Sequence, residues 1–311
     1  MDQLQRALSD GHGLRVIYAD ATSSASTLAG RHLAGPVASR VLSQALVAAA
    51  MLSSDLENEG EVLSIQWKVN GPIRGILVEA GFGGWLRGYT FRKTLGDLDG
   101  APRVEAVDSM GTDGHMTVLH SLPRQLLYSG VVAATPPDVE RNLARYFNQS
   151  RQTPTAVAIR VELSDGRPSG GQSGPPSGGP SGRPVRAVGV IAQKLPDSAG
   201  DEATEKFVDV LERFNDGRVT EALASTAGIL DAGSALGIRD LVVVGSGPLA
   251  FACRCSRERV NSVLSLLPTL DLEEMLAETE PQTVVCHFCG ETYVVGPGEI
   301  ARLLEGRRKG G

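Results

Sequence analysis

Two short segments near the C-terminus contain all four cysteines of the chain: FACRCSRER at 251–259 and VCHFCGETY at 285–293. The first has a C-x-C pair and the second a C-x-x-C-G pair, separated by 30 residues. A tight C-x-x-C-G turn places two sulfur atoms on one metal ion, and an extended C-x-C can supply two more. The spacing therefore predicts one closed, tetrahedral zinc site. Its four ligands are Cys253, Cys255, Cys286 and Cys289.

The side chains near these cysteines are assigned lesser roles. His287 lies inside the C-x-x-C turn, but four sulfur ligands already complete the shell, so we do not expect it to bind the metal. The other histidines are scattered along the chain and are expected to be core or surface residues: His12, His32, His115 and His120. Three arginines flank the first pair and either stabilise its thiolates or form a solvated helix start: Arg254, Arg257 and Arg259.

The cysteine-containing segment is too small to be stable without help. Residues 253–311 number 59, and a chain of that length buries little apolar surface. A structural zinc ion contributes on the order of 10–16 kcal/mol of folding free energy in modules of this kind. We therefore expect the segment to unfold when the metal is removed.

The preceding sequence indicates an α+β fold. Its 311 residues suggest about two domains, and 41% hydrophobic residues are enough for a core. Strict alternation of apolar residues predicts a strand over 61–69, and IRGILVEA and WLRGYTF are further strand candidates joined by short turns. Gly35 and Pro36 open an alanine-rich helix that extends to about residue 54, and Thr135 is the predicted N-cap of another helix.

A long polar insertion separates two further strand candidates. Alternating residues 155–163 and the segment RAVGVIAQ enclose 21 residues, 164–184, of which 17 are Gly, Pro or Ser. Such a composition cannot bury enough apolar surface to order itself. We interpret the region as a β-hairpin whose tip is a flexible loop, and a domain linker is the alternative.

These patterns divide the chain into three parts. Helical spacing of Phe207, Leu211 and Phe214 predicts a charged, helical segment short of large apolar residues, which we interpret as a connector. The predicted parts are an N-terminal mixed sheet-and-helix core at 1–198, a helical connector at 199–240, and a C-terminal zinc domain at 241–311.

Charge and hydropathy argue against nucleic-acid and membrane partners. The chain carries 30 Lys+Arg and 36 Asp+Glu, for a net charge of −6, whereas nucleic-acid binders usually have a basic excess. No apolar run reaches the roughly 18 residues of a membrane helix, and the N-terminus lacks signal-peptide features. We expect a cytoplasmic protein, where clustered thiols indicate a metal or redox site rather than structural disulfides.

Two other functions are weaker alternatives. A zinc ribbon that binds nucleic acid would need a basic face, but residues 253–311 contain 7 Lys+Arg and 9 Asp+Glu. Residues 241–250, LVVVGSGPLA, match a dinucleotide-binding fingerprint and would suit a flavin-dependent disulfide reductase. This stretch begins as a predicted strand, but Cys253 follows too soon for the required helix, so we expect Gly-Ser-Gly-Pro to be a loop that leads into the metal site. No catalytic triad or paired-carboxylate motif is evident, so we do not expect an enzyme.

The cysteine segments resemble those of the heat-shock protein 33 family, the 33 kDa chaperonins. The C-x-C pair about thirty residues before C-x-x-C is specific to that family. The resemblance extends to Asn70-Gly-Pro-Ile-Arg74, to Arg87-Gly-Tyr89 and to Tyr146-Phe-Asn-Gln-Ser150. It covers nearly the whole chain, and the main departure is the insertion at 164–184.

The resemblance implies a redox-regulated chaperone that works without ATP. One zinc ion is bound in the reduced, inactive form. Peroxide or hypochlorite converts Cys253–Cys255 and Cys286–Cys289 to two disulfides, zinc leaves, and the C-terminal domain and connector unfold. The family then binds unfolding client proteins and forms homodimers when oxidised.

Overall fold

The computed structural model describes residues 1–164, 182–196, 201–278 and 280–310. The chain forms two compact units, Met1–Ala252 and Cys253–Gly311. Both mix helices with strands, so the predicted α+β class is confirmed.

The first unit contains eleven strands and seven α-helices in its described residues. The strands are β1 (Gln3–Ser9), β2 (Leu14–Asp20), β3 (Val62–Val69), β4 (Gly75–Gly81), β5 (Trp85–Thr90), β6 (Gly114–Leu122), β7 (Gln125–Ala133), β8 (Thr155–Leu163), β9 (Pro184–Lys194), β10 (Val242–Pro248) and β11 (Ala250–Phe251). The helices are α1 (Thr22–His32), α2 (Pro36–Leu52), α3 (Ala106–Met110), α4 (Val139–Arg145), α5 (Asp201–Asn215), α6 (Arg218–Ala222) and α7 (Ile229–Leu236).

The strands of the first unit form two sheets. One has five antiparallel strands in the order β10-β1-β2-β9-β8. The other has the order β11-β5-β4-β3-β6-β7 and is antiparallel except where β11 runs parallel to β5. Alternating side chains of β3 place Leu63, Ile65 and Trp67 in the core, as the sequence predicts.

Helix α2 lies in the core between the two sheets. It packs on strands of both sheets, and 14 of its 17 residues are buried. The stretch Pro36–Asp55 is long and apolar enough to cross a membrane, contrary to the expectation that no run would reach that length. It is 89% buried within the fold, which is the burial of a core helix.

The predicted hairpin around the insertion is present. Strands β8 and β9 pair antiparallel, and the backbone N–H of Ser164 donates to the carbonyl of Arg183 at 2.8 Å. Of the predicted flexible tip, 164–184, residues 165–181 lie outside the described residues, and Pro184 is the first residue of β9.

Helices α5–α7, the predicted connector, cover the second face of the five-stranded sheet. Their apolar side chains form one buried cluster with those of the strands. From the helices come Phe207, Val210, Val219, Ile229, Ala232 and Leu236; from the strands come Ala7, Leu14, Val16, Tyr18, Ala158, Val188, Val190 and Ala192. This explains how a segment with few large apolar residues forms helices, since the sheet supplies most of the apolar surface.

Two boundaries differ from the sequence predictions. The C-terminal unit begins at Cys253 rather than at 241, because β10 pairs with β1 along its length and belongs to the first unit. Gly245 to Pro248 is accordingly part of a strand, not a loop. Helix α4 is capped by Asp138 rather than Thr135, because the Asp138 carboxylate accepts the backbone N–H of Arg141 at 2.8 Å.

A half-buried carboxylate on α4 contacts the edge of the five-stranded sheet. Glu140 accepts the backbone N–H of Ile159 in edge strand β8 at 2.8 Å. Burial, together with the nearby Asp138 charge, raises the pKa of Glu140 from 4.5 to about 7, although the hydrogen bond from Ile159 and the Arg141 charge oppose the shift. The folded first unit therefore favours the protonated acid.

This shift predicts a pH-dependent stability that Glu140→Gln removes. Stability from the protonated acid is fully present below pH 4.5 and is lost as the pH rises through 7. A glutamine retains the acceptor without the charge, so at pH 8 the variant should be more stable by up to about 3 kcal/mol. Denaturant unfolding at pH 4.5 and pH 8 measures the difference. Exposed Glu59→Gln is the control; equal pH profiles for wild type and Glu140→Gln would refute the assignment.

Candidate metal centre

The second unit is built around a hairpin and three helices. Its elements are α8 (Arg257–Leu264), α9 (Thr269–Ala277), β12 (Gln282–Val285), β13 (Thr292–Val295) and α10 (Pro297–Gly310). The core is small, with six buried aliphatic residues: Val260, Leu264, Leu272, Val295, Ile300 and Leu304.

The two cysteine pairs occupy different local structures. Cys253 and Cys255 lie in irregular backbone immediately before α8, which starts at the N-cap Ser256, whose hydroxyl accepts the backbone N–H of Arg259. Cys286 and Cys289 lie in the turn between β12 and β13.

The second pair lies in a tight turn that requires glycine at its end. The backbone N–H of Cys286 donates to the carbonyl of Glu291, and the N–H of Gly290 donates to the carbonyl of Cys286, both at 2.8 Å. Gly290 has φ = 72°, a left-handed conformation that glycine adopts without steric cost. The C-x-x-C-G pattern thus places both sulfur atoms on one side of the turn, as predicted from its sequence.

The four sulfur atoms converge. All lie within 4.8 Å of one another, and three of the cysteines are half-buried while Cys289 is buried. Sγ of Cys253 lies 3.7 Å from Sγ of Cys286, and Sγ of Cys255 lies 3.4 Å from Sγ of Cys289. A tetrahedral site with Zn–S bonds of about 2.3 Å has sulfur–sulfur separations of about 3.8 Å. The cluster therefore has the dimensions of a four-sulfur metal site.

The group of side chains that could hold a metal ion in this part of the described structure consists of the four cysteines. His287 is not a member, although it lies in the same turn. No two sulfur atoms are bonded, and all four cysteines are free thiols. Four sulfur donors and no oxygen donor suit a soft or borderline cation such as zinc.

Electrostatics indicate what a cation would do at this site. Burial raises the pKa of the Cys286 and Cys289 thiols. Burial also opposes ionisation of Cys253, but hydrogen bonds from the backbone N–H of Cys255 and from neighbouring sulfurs lower its pKa overall. Four thiolates this close repel one another strongly. A divalent cation would compensate for that repulsion and hold all four sulfurs deprotonated.

Tyr293 is a site residue that the sequence analysis did not identify. From β13 its hydroxyl donates a hydrogen bond to Sγ of Cys255 at 3.1 Å, which raises the pKa of the tyrosine. The phenol therefore stays protonated and remains a donor at neutral pH. Arg257, one of the three flanking arginines, lies over the Tyr293 ring rather than serving as a sulfur partner.

Comparison with known proteins identifies the family. A family model described as Hsp33 protein matches residues 2–296. The chain belongs to the Hsp33 family. The match includes all four cysteines and reaches into both units, so the resemblance seen in the sequence is confirmed.

Relatives align with this Hsp33 chain from end to end. A 33 kDa chaperonin of Symbiobacterium thermophilum is 29% identical over 309 residues, covering 99% of this chain and 98% of the relative. One from Bacillus cereus is 30% identical over 307 residues, covering 98% and 99%. The crystal structure of a 33 kDa chaperonin from Thermotoga maritima shares the fold, with a TM-score of 0.82 at 22% identity and 99% coverage of both chains.

Family membership decides the functional class. The relatives are named as chaperonins, a class of proteins that is not enzymatic, and this Hsp33 chain belongs to a chaperone family. The dinucleotide fingerprint is also explained by the fold. Gly245 and Gly247 lie in β10, and β11 follows them in place of the helix that a nucleotide would need.

Proposed function

We propose that this chain is a redox-regulated, ATP-independent holdase whose reduced form binds one Zn²⁺ through Cys253, Cys255, Cys286 and Cys289. The observation that carries the proposal is the convergence of these four sulfurs within 4.8 Å in a chain of the Hsp33 family. Bound zinc keeps the sulfurs as thiolates, which are the form that oxidants attack. The predicted cytoplasmic location, with its reduced thiols, suits such a switch.

Oxidation removes the metal ligands in two identical reactions, one for each disulfide. In each, one thiolate attacks hydrogen peroxide, an S–O bond forms as the O–O bond breaks, and hydroxide leaves. A second thiolate then displaces hydroxide from the resulting sulfenic acid and forms the disulfide. Two thiolates and one peroxide thus yield one disulfide and two hydroxide ions. A disulfide sulfur is a poor zinc ligand, so two such reactions release the ion.

The proposed disulfides are Cys253–Cys255 and Cys286–Cys289. In the folded unit the sulfurs of Cys253 and Cys286 lie 3.7 Å apart and those of Cys255 and Cys289 lie 3.4 Å apart. Because all four sulfurs lie within 4.8 Å of one another, pairing across the two segments is the alternative disulfide pattern. Peptide mapping of the oxidised protein distinguishes the two patterns.

Loss of zinc then couples to unfolding. The second unit has only six buried aliphatic residues in its core, so the metal supplies most of its stability. In the proposed switch the connector helices α5–α7 also detach, which exposes the apolar sheet face that they cover. That face and the released segments bind unfolding client proteins, and the oxidised chain forms a homodimer.

An aggregation assay tests this function. The reduced, zinc-loaded protein should not suppress aggregation of a thermally unfolding client, whereas the peroxide-treated protein should suppress it in the absence of ATP. Thiol reductant together with Zn²⁺ should reverse the effect. Equal suppression by both forms, or none by the oxidised form after zinc has been released, would contradict the proposal.

A further inference from the structure

Apart from the contacts among the sulfurs themselves, hydrogen bonds to the four cysteines come from two kinds of donor. Backbone N–H groups donate to three of them: Cys255 to Cys253, Phe288 and Cys289 to Cys286, and Glu291 to Cys289. Cys255 accepts from a side chain, the Tyr293 hydroxyl, at 3.1 Å. Backbone donors are fixed by the fold, whereas this bond depends on the residue at one position.

The position of Tyr293 is fixed by a chain of polar contacts. Arg257 places its guanidinium 6.0 Å from the centre of the tyrosine ring and donates to the carbonyl of Val294 at 2.7 Å. Glu299, on α10, lies 3.5 Å from the same guanidinium. Since Arg257 is also in the first turn of α8, which Cys255 precedes, the sulfur and its donor are anchored to each other through one side chain.

We propose that Tyr293 is a positioning residue that sets how tightly Cys255 holds zinc and how fast it reacts with peroxide. This inference rests on the proposed zinc site and adds to it the residue that tunes it. A hydrogen bond to a metal-bound thiolate orients the sulfur and stabilises its charge, and loss of such a partner typically weakens metal binding 10–100-fold.

The same bond opposes oxidation. When the thiolate attacks peroxide, a sulfur electron pair forms the S–O bond. The two electrons of the O–O bond pass to the oxygen that leaves as hydroxide. The Tyr293 O–H draws on this electron density and occupies one approach to the sulfur. Removing the hydroxyl should make Cys255 a better nucleophile and a less well oriented ligand.

Tyr293→Phe keeps the ring and removes only the hydroxyl. Its affinity for zinc, measured by competition with a chelating dye, should fall at least about tenfold. Alkylation mass spectrometry during peroxide treatment gives the oxidation rates of Cys255 and Cys286. The ratio of the Cys255 rate to the Cys286 rate should be higher in the variant than in wild type. With Co²⁺ in place of zinc, the sulfur-to-metal charge-transfer band should move to longer wavelength, which a purely structural loss would not cause.

Tyr128→Phe is the matched control, since it removes a tyrosine hydroxyl that bonds Ser150 in the first unit; it should leave all three measurements unchanged. Arg257→Gln retains the Tyr293 hydroxyl but removes the side chain that anchors it. It should shift the three measurements in the same direction as Tyr293→Phe, and by less. If Tyr293→Phe binds no metal, the result for Arg257→Gln decides whether Tyr293 is a positioning residue. If Tyr293→Phe gives wild-type values in all three measurements, the inference about Tyr293 is wrong, but the proposed zinc site is unaffected. A reduced wild type that binds no zinc overturns the proposed function instead.

Discussion

Cys289→Ser should leave the second unit unfolded while the first unit remains folded. Cys289 is the most buried of the four cysteines, and a serine oxygen cannot replace its thiolate as a zinc ligand. The loss of about 10–16 kcal/mol of metal binding exceeds what a typical small domain can spare. Both large apolar clusters of the first unit are formed entirely from residues before 252, so that unit should not depend on the metal.

Hydrogen exchange measures this directly. Amides of α8, α9 and α10 should exchange without protection in Cys289→Ser, whereas those of α2 and β3 should match wild type. Ser262→Ala, on the surface of α8, is the control and should keep its zinc and its protection. If the proposed switch is right, Cys289→Ser also suppresses client aggregation without peroxide. Wild-type protection in the second unit of the variant would show that the metal is not what holds this unit together.

Leu236→Ala should destabilise the packing of the connector helices on the sheet while leaving the four cysteines unchanged. Leu236 is 1% exposed on α7 and belongs to the cluster that joins α5–α7 to the five-stranded sheet. Removing its side chain from that interface should cost about 2–5 kcal/mol. Faster hydrogen exchange across 201–240 is the expected readout, together with partial holdase activity in the reduced, zinc-bound state.

Leu230 provides the matched control because it is a leucine on the same helix that is 58% exposed. Leu230→Ala should change stability by less than about 0.5 kcal/mol and leave exchange unaltered. If Leu236→Ala speeds exchange in the connector but gives no activity while zinc is bound, the sheet face under the helices is not the client surface. The zinc site itself would be unaffected by that result.

Much of the fold follows from local pattern. Alternation of apolar residues identified β3 and β8, and the two strand candidates on either side of the insertion predicted its hairpin. The valine-rich start of β10 is predicted as a strand, but its Gly-Ser-Gly-Pro end is not, because that composition is typical of a loop. This segment is a strand because it pairs with β1, a tertiary contact that no local pattern shows. The misplaced domain boundary at 241 has the same cause.

At the metal centre, the sequence predicts the ligand candidates but not the hydrogen-bond donor beside them. Cysteine identity and spacing carry the chemistry of a four-sulfur site, so the ligand candidates could be named before any fold was known. Tyr293 could not, because a tyrosine in an alternating strand is ordinarily a packing residue. It lies 38 positions from Cys255 in sequence, and only the hairpin β12–β13 brings its hydroxyl to that sulfur.

X-ray absorption at the zinc edge of the reduced protein, combined with metal analysis, tests the central claim most directly. One zinc per chain with four sulfur neighbours at about 2.3 Å is the expected result. Less than stoichiometric metal after reduction and zinc loading, or a shell containing nitrogen from His287, would contradict the four-cysteine site on which the proposed switch depends.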